Sequence, residues 1–342
     1  MRIILDGNGG DNAPQAVVEG AVLAAKEIKD HEIIIIGNEE DIKRELEANK
    51  FDGNNISVIN ATQKIENEDA PVKAVRTKKD SSIVKGLNLV KEGQADMFIS
   101  AGNTGALMAA GLFILGRIDG IDRPAIASVY PILGKDKPAL LVDAGANSEC
   151  KPNNLLEFGI MGDIYMSKVL DMDSPKIGLV NLGVEENKGT TVTKAAYELL
   201  KKSKMNFVGN VEAREVPKGA CDVIVCDGFV GNVILKLTEG LALNISALLK
   251  EKFTAGLKAK VGALFLLDKM KEIKQEFDYS EYGGAPILGI KGPLIKMHGS
   301  SNGKAVKNAI LKALPFVEEN VVETIRGAVF EIEEITYDLE EI

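Results

Sequence analysis

Ser100-Ala101-Gly102-Asn103-Thr104-Gly105 follows the short apolar run Asp96-Met97-Phe98-Ile99 and leads into residues that are apolar on every side through Gly116, which predicts a helix sunk in the core. A buried strand that turns through small residues into a helix leaves backbone N–H groups pointing outward, where the peptide dipole also favours negative charge. Such a turn suits a phosphate or a developing oxyanion, although a glycine-rich turn can also serve only to reverse the chain tightly. Asp6, Asp143 and Asp227 each end an apolar run and open a small-residue loop: DGNGGD, DAGAN and DGFVGN. Three such endings suggest the carboxyl edge of one parallel sheet, where open α/β folds hold their ligands. The carboxylates can equally cap loops, and no metal is assigned to them.

Two further side chains stand where chemistry is possible. Lys188 lies in GVEENKGTT, between an acidic pair and a glycine, at an expected strand end beside a helix start; a loop lysine can also be merely solvated. His298 sits in the small-residue turn MHGSS, whereas His31, just before a strand, reads as structural. No G-x-S-x-G elbow accompanies His298, so a serine-hydrolase triad is not indicated. The first loop fails the G-x-G-x-x-G dinucleotide pattern, because Asn12 stands where the third glycine belongs; Gly299 and Gly303 are too close for a P-loop, and Lys304 is followed by Ala. Without a convincing nucleophile, the chemistry falls to the ligands, with the protein positioning a phosphate and stabilising an oxyanion. No cofactor is called for.

The elements that must position these groups alternate. Strands are expected at Arg2 to Asp6, Glu32 to Gly37, Ile56 to Ile59, Asp96 to Ile99, up to Tyr130, Ala139 to Asp143, Lys176 to Asn181, Asn206 to Gly209 and Asp222 to Val225. Helices are expected between them, including Pro14 to Lys29, Glu39 to Asn49, Asn154 to Leu170, Thr191 to Lys201, an apolar one from Asn232 and one from about Asn302. YGGAPILGIKGPLIK reads as two short strands around Gly292-Pro293. This is the alternation of a wound α/β sheet, and no linker or repeat divides the chain.

With 342 residues, 45% hydrophobic and 27% charged, the chain can bury a large core. A net charge of −9 argues against a general nucleic-acid binder. Cys150, Cys221 and Cys226 carry no paired spacing, which fits a reducing cytoplasm. No signal peptide is read at the start, and the longest apolar stretch, near Leu107 to Leu115, is too short to span a bilayer, so no transmembrane helix is expected. Lys73, Arg76, Lys78, Lys79 and Lys85 form a basic cluster in an acidic protein, which is either a solvated face or a docking surface for an anionic partner. From Lys250 the texture changes: Phe253, Leu257, Val261, Leu264, Phe265 and Leu267 fall broadly on one side, with Lys252, Lys258, Lys260, Lys269 and Lys271 elsewhere. A basic amphipathic segment of this kind lies on anionic lipid or buries its stripe in a dimer interface. The acidic end, Glu318 to Glu341, is expected to be helical and solvated.

DGNGGDNAPQAVVEG, PVKAVRTKKDSS, ISAGNTGALMAAGLFILGRIDGIDRPA, DAGAN, GNVEAR, CDGFVGNVILK, YGGAPILGIKGP and HGSS occur in that order. Together they resemble the acyl-carrier-protein:phosphate acyltransferases of bacterial phospholipid synthesis, the PlsX family, from Met1 to about Asn320. The resemblance implies one domain, residues 1–342, with a Rossmann-like α/β/α three-layer sandwich and a mostly parallel sheet. It would carry an amphipathic helical protrusion at about 250–275 and an acidic tail at about 321–342. It implies reversible transfer of a fatty acyl group from acyl carrier protein to inorganic phosphate, giving acyl phosphate for glycerol-phosphate acylation. It further implies a cytoplasmic homodimer that meets the membrane peripherally through about 253–270, with a membrane glycerol-phosphate acyltransferase as a further candidate partner. By residue match, Lys188 and Asn232 fall on catalytic positions. The implied substrate-binding set is Gly9, Gly10, Asp11, Ser100, Asn103, Thr104, Gly105, Asp143, Asn147, Asp227, His298 and Ser300. Since acyl carrier protein is acidic, Lys73, Arg76, Lys78 and Lys79 become docking candidates. One departure stands out: the family's first loop usually reads D-A-M-G-G-D-H-A-P, and Gly7, Asn8 and Asn12 replace its Ala, Met and His here. A histidine base at position 12 is therefore absent from this chain. Two rivals remain, a phosphate acetyltransferase-like or dehydrogenase-like enzyme and a non-catalytic membrane-surface adaptor.

Overall fold

The computed structural model describes residues 1–135, 137–256, 259, 261–263, 265–266 and 283–329. In chain order the elements are β1 (Arg2–Asp6), α1 (Gln15–Ala25), β2 (Glu32–Gly37), α2 (Glu39–Ala48), β3 (Ile56–Asn60), α3 (Pro71–Thr77), α4 (Ser82–Lys91), β4 (Met97–Ser100) and α5 (Thr104–Ala110). Next come β5 (Ala125–Tyr130), β6 (Ala139–Val142), α6 (Pro152–Val169), β7 (Ile177–Asn181), α7 (Thr191–Lys202), β8 (Phe207–Glu212), β9 (Val223–Val225), α8 (Gly228–Thr254), β10 (Ala285–Leu288), β11 (Leu294–Lys296) and α9 (Gly303–Glu318).

All eleven strands join one sheet in the order β3-β2-β1-β4-β11-β10-β5-β6-β9-β7-β8. Runs such as Ile33 to Ile36 are buried throughout, as strands covered on both faces must be. On one face lie α1, α6, α7 and α9; on the other lie α3, α4, α5 and the first turns of α8. The result is the expected three-layer α/β/α sandwich with a mostly parallel sheet.

The expectation of one shared carboxyl edge does not hold. Neighbouring strands are parallel except at β11–β10, β10–β5 and β5–β6. Three reversals leave β6, β9, β7 and β8 running opposite to β1, β2, β3, β4 and β11. Asp6 therefore ends a strand at one edge, and Asp143 and Asp227 follow strands that end at the other. The two half-sheets meet through the late hairpin β10–β11, which lies between β4 and β5.

Three further expectations change. The apolar residues after Thr104 form α5 and then a wider π-type turn, Gly111–Leu115, whose Phe113 is 52% exposed, so this helix is not buried all round. The helix containing Asn232 runs unbroken from Gly228 to Thr254; it has 27 residues, its most apolar 18-residue stretch has a mean hydropathy of 1.3, and it is long and apolar enough to cross a membrane by length and composition. Its Phe229, Val233, Leu237, Leu241 and Ile245 recur every four residues and are all exposed, so the exposed apolar surface begins well before residue 250. Of the segment expected to protrude, Leu257, Lys258, Lys260, Leu264, Leu267, Lys269 and Lys271 lie outside the described residues. Finally, 321–329 is helical and buries Val321, Ile325 and Val329 in the core, so the chain end is not solvated there; 330–342 lie outside the described residues.

Candidate active site

β1, β4 and β11 are adjacent and parallel, so the loops that leave them converge. Asp6 is buried at the end of β1, where it accepts hydrogen bonds from Ser82 Oγ at 2.5 Å and Ser100 Oγ at 2.6 Å. Ser100 Oγ in turn accepts from Gly102 N at 2.9 Å, which fixes the turn ahead of α5. Burial raises the Asp6 carboxyl above its ordinary range, against the pull of the two hydroxyls. Asn103 caps α5, accepting from Ala106 N at 2.9 Å, while its Nδ2 donates to the carbonyls of Glu66 and Asn67.

The first loop lies against the turn after β11. Asp11 N donates to Gly299 O at 2.8 Å, and Asn12 Nδ2 donates to the carbonyls of Ser300 and Ser301. Gly10 needs to be glycine twice over: its φ is +99°, and a Cβ there would lie 2.9 Å from the Ala101 Cβ and 3.0 Å from Gly299 O. Asn12, where the family resemblance leads one to expect His, is thus a strut between two loops. His298 Nδ1 and Ser300 Oγ pair at 2.8 Å at the exposed rim.

The second half supplies the facing wall. Asp143 is fully buried, and its carboxylate accepts from N–H groups: Ile126, Gly145 and Ala146 N on Oδ1, Asn147 N and Nδ2 on Oδ2, at 2.7–3.2 Å. Asn147 Nδ2 also reaches Pro124 O at 2.8 Å. Asp227 caps α8 through Val230 N at 2.8 Å. Gly231 lets α8 approach this loop, since a Cβ there would collide with the Asp143 carbonyl oxygen. Asp143, Asn147 and Asp227 therefore spend their polar atoms on shaping the wall, and Asn232 is the residue of this group that faces the opening.

Between the halves is a cleft of ≈ 450 Å³. Its polar lining includes Thr104, Ser128, Asn232, Lys236, Lys296 and His298; its apolar lining includes Ile126, Val129, Leu235 and Ala285. Thr104 and His298 come from one half-sheet and Asn232 from the other, so three of the candidates meet here although their strands run oppositely. Gly9, Gly10, Asp11, Ser100, Asn103 and Ser300 form the loop cluster behind the first wall. Lys188 does not line the cleft; it is exposed in the loop after β7, two strands beyond β6. Sequence reasoning missed Lys296, Lys236 and Ser128. The signal for Lys296 was a lone cation closing the apolar strand Leu294-Ile295.

Elsewhere, Lys73, Arg76 and Lys79 are exposed on and just after α3, with Arg76 stacked 5.3 Å from the centroid of the Phe113 ring. Lys78 is turned inward, pairing with Asp69 at 2.5 Å and donating to Lys64 O. Burial pushes the Cys150 and Cys221 thiols up to about 12 and raises Cys226 as well. Among the described residues, no group of three or more His, Cys, Asp or Glu is placed to hold a metal ion.

A family model described as "Fatty acid synthesis protein" matches residues 1–324. A phosphate acyltransferase of Alkaliphilus oremlandii (strain OhILAs) is 57% identical over 329 residues, covering 96% of this chain and 97% of its own. One of Clostridioides difficile (strain 630) is 53% identical over 325 residues, covering 95% of each chain. Among solved structures, a phosphotransacetylase from Streptococcus pyogenes superposes with a TM-score of 0.61 over 94% of both chains at 20% identity, a likeness of fold alone. By near full-length identity to curated relatives, this chain belongs to the phosphate acyltransferase family.

Proposed function

We propose that this enzyme transfers a fatty acyl group reversibly from acyl carrier protein to inorganic phosphate, yielding acyl phosphate for glycerol-phosphate acylation. The observation that carries the reading is the cleft between the two halves, lined both by cations and hydroxyls and by apolar side chains. A phosphate oxygen attacks the thioester carbonyl, the new C–O bond forms as the C–S bond breaks, and the proton of the hydrogen phosphate ends on the departing thiol. No acyl-enzyme forms. Asn232 orients the carbonyl, and the turn ahead of α5 supplies N–H groups to the developing oxyanion. Lys188 is carried over as catalytic from the resemblance; its exposed place beyond the cleft means that it would have to act with the acyl donor bound.

The carrier docks on Lys73, Arg76 and Lys79, beside the exposed Val72 and Phe113. The exposed stripe of α8 supports pairing with a second copy and peripheral contact with a membrane. Incubating the protein with acyl carrier protein thioester, or with acetyl-CoA, plus phosphate and following thiol release tests the whole reading. Phosphate-dependent release from the carrier thioester is expected. Release from acetyl-CoA alone would move the enzyme to the phosphate acetyltransferases, and no release from either would leave a surface adaptor.

A further inference from the structure

Asp6, Ser100 and Lys296 stand in one row across three adjacent strands. Leu5 pairs with Ile99 in the parallel register of β1 and β4, which sets Asp6 beside Ser100, and Ser100 pairs with Lys296 in the register of β4 and β11. Residues in register on parallel strands point to the same face. Here that is the face of Ile4, Phe98 and Leu294, which α4 and α5 cover. At the inner end of the row Asp6 is buried with both oxygens on serine hydroxyls. At the outer end Lys296 is partly buried and lines the cleft, next to Met297 and His298 and across from Asn232.

We propose that Lys296 is the cation that holds the phosphate in this cleft, with Asp6 as its buried counter-charge and Ser100 as the group between them. This rests on the phosphate-acyl-transfer reading above. Of the three lysines in question, Lys188 lies off the cleft and Lys236 lines it but is exposed on α8, whereas Lys296 lines it and is partly buried. Among the described residues, the Lys296 ammonium has one hydrogen-bond partner, the carbonyl of Met297, and a lysine ammonium carries three donors. A cation partly withdrawn from water interacts more strongly with an incoming dianion than a solvated one does. Asp6 is separated from the opening by Ser100, so it offsets the buried positive charge without occupying the place where the anion arrives.

The charged and titratable groups facing Lys296 are Asp6 from β1, Asp11 from the first loop, His298 from its own segment, and Lys236 and Glu239 from α8. Burial brings the lysine down to about 8, while Asp6 and then Asp11 oppose that fall. Its charge is therefore lost just above neutral pH, which gives a readout that a purely structural role would not produce.

The experiment is steady-state kinetics of the full chain with acyl carrier protein thioester and inorganic phosphate, for wild type, Lys296→Met and Lys296→Arg, across pH 6.5 to 9.5. Removing one charge-assisted contact to phosphate should raise the phosphate KM by about 10–100-fold in Lys296→Met. The KM for the acyl donor should stay within about twofold, because that partner docks elsewhere. In wild type the phosphate KM should climb as pH passes about 8. In Lys296→Arg, whose guanidinium does not titrate in this range, that climb should vanish. Phosphate's own ionisation is common to all three enzymes and drops out of the comparison. A folded Lys296→Met with wild-type phosphate KM overturns the proposal, as does an Arg variant that keeps the wild-type alkaline limb. If Met at this position prevents folding, the Arg comparison decides alone. A wild-type enzyme that forms no acyl phosphate would instead overturn the underlying reading of function.

Discussion

Asp143→Asn removes one charge and adds two N–H groups at the centre of the second wall. The native carboxylate receives three N–H groups on Oδ1 and two on Oδ2. An asparagine can keep the three-donor side by placing its oxygen there, but its NH₂ then faces Asn147 N, which lies 2.7 Å from the native oxygen. Asn147 cannot relieve the conflict by turning its amide, because Nδ2 is also committed to Pro124 O at 2.8 Å. The reverse orientation abandons three donors instead of two. A buried donor left without its charged acceptor costs about 1–3 kcal/mol, so the better orientation should lower stability by about 2–4 kcal/mol. Asp227→Asn is the control: its side chain caps α8, which Asn does as well as Asp, and the change should stay within about 0.5 kcal/mol. Urea unfolding followed by circular dichroism measures both. The Asp143 variant should also lose turnover, because Ala144 and Gly145 line the cleft and the Gly145 backbone lies against Asn232. Equal midpoints for the two variants would refute the assignment of Asp143 as the residue that holds the wall.

Reversing Lys73, Arg76 and Lys79 to Glu together should raise the apparent KM for the acyl-carrier thioester about tenfold, more at low salt, while leaving the phosphate KM unchanged; no change would return this patch to a solvated face. Lys78 is left out because its pair with Asp69 would be broken. With Cys150 and Cys221 at about 12, native protein at pH 8 should be alkylated by iodoacetamide about 100-fold more slowly than a free thiol, and turnover should survive; an acyl group trapped on a cysteine would contradict this. Glu157 is buried, accepts from Asp122 N and Arg123 N, and is raised by burial from 4.5 to about 7. A raised carboxyl gives stability that is full below pH 4.5 and is lost as pH rises through about 7. Glu157→Gln should remove that slope and gain up to about 2–3 kcal/mol relative to wild type at pH 8; parallel stability curves would count against it.

Much of the fold was legible because its strands are short apolar runs with small-residue ends, and its helices begin at Asn38, Ser81, Asn103, Thr190, Asp227 and Asn302, whose side chains accept the caps. Strand direction was not legible. Nothing local in Ala139 to Val142 says that it will run against Ala125 to Tyr130, so three carboxylates that look alike in sequence divide between two edges. For the same reason Asp143 could not be told from a ligand: its role depends on five donors, one of them from β5. The extent of α8 was hidden by the change to a lysine-rich texture near Lys250, which falls inside the last turns of the helix, ending at Thr254, and not at its start. Lys188 was singled out by its place in a loop and by likeness of motif, Asn232 by likeness of motif alone, and of the two Asn232 lines the cleft.

The hairpin of β10 and β11 has a consequence for how the protein is made. β4 and β5 share no hydrogen bonds; they are joined only through strands that lie at 285–296, near the end of the described chain. While the polypeptide emerges from the ribosome, two half-sheets can form early, but each keeps an unpaired strand at its inner margin until almost three hundred residues have been synthesised. Those two bare margins are adhesive surfaces of the nascent chain, and the last strands to arrive are the ones that cover them. A lesion in this hairpin would therefore be felt first as poor yield and aggregation during synthesis, before any effect on turnover could be measured.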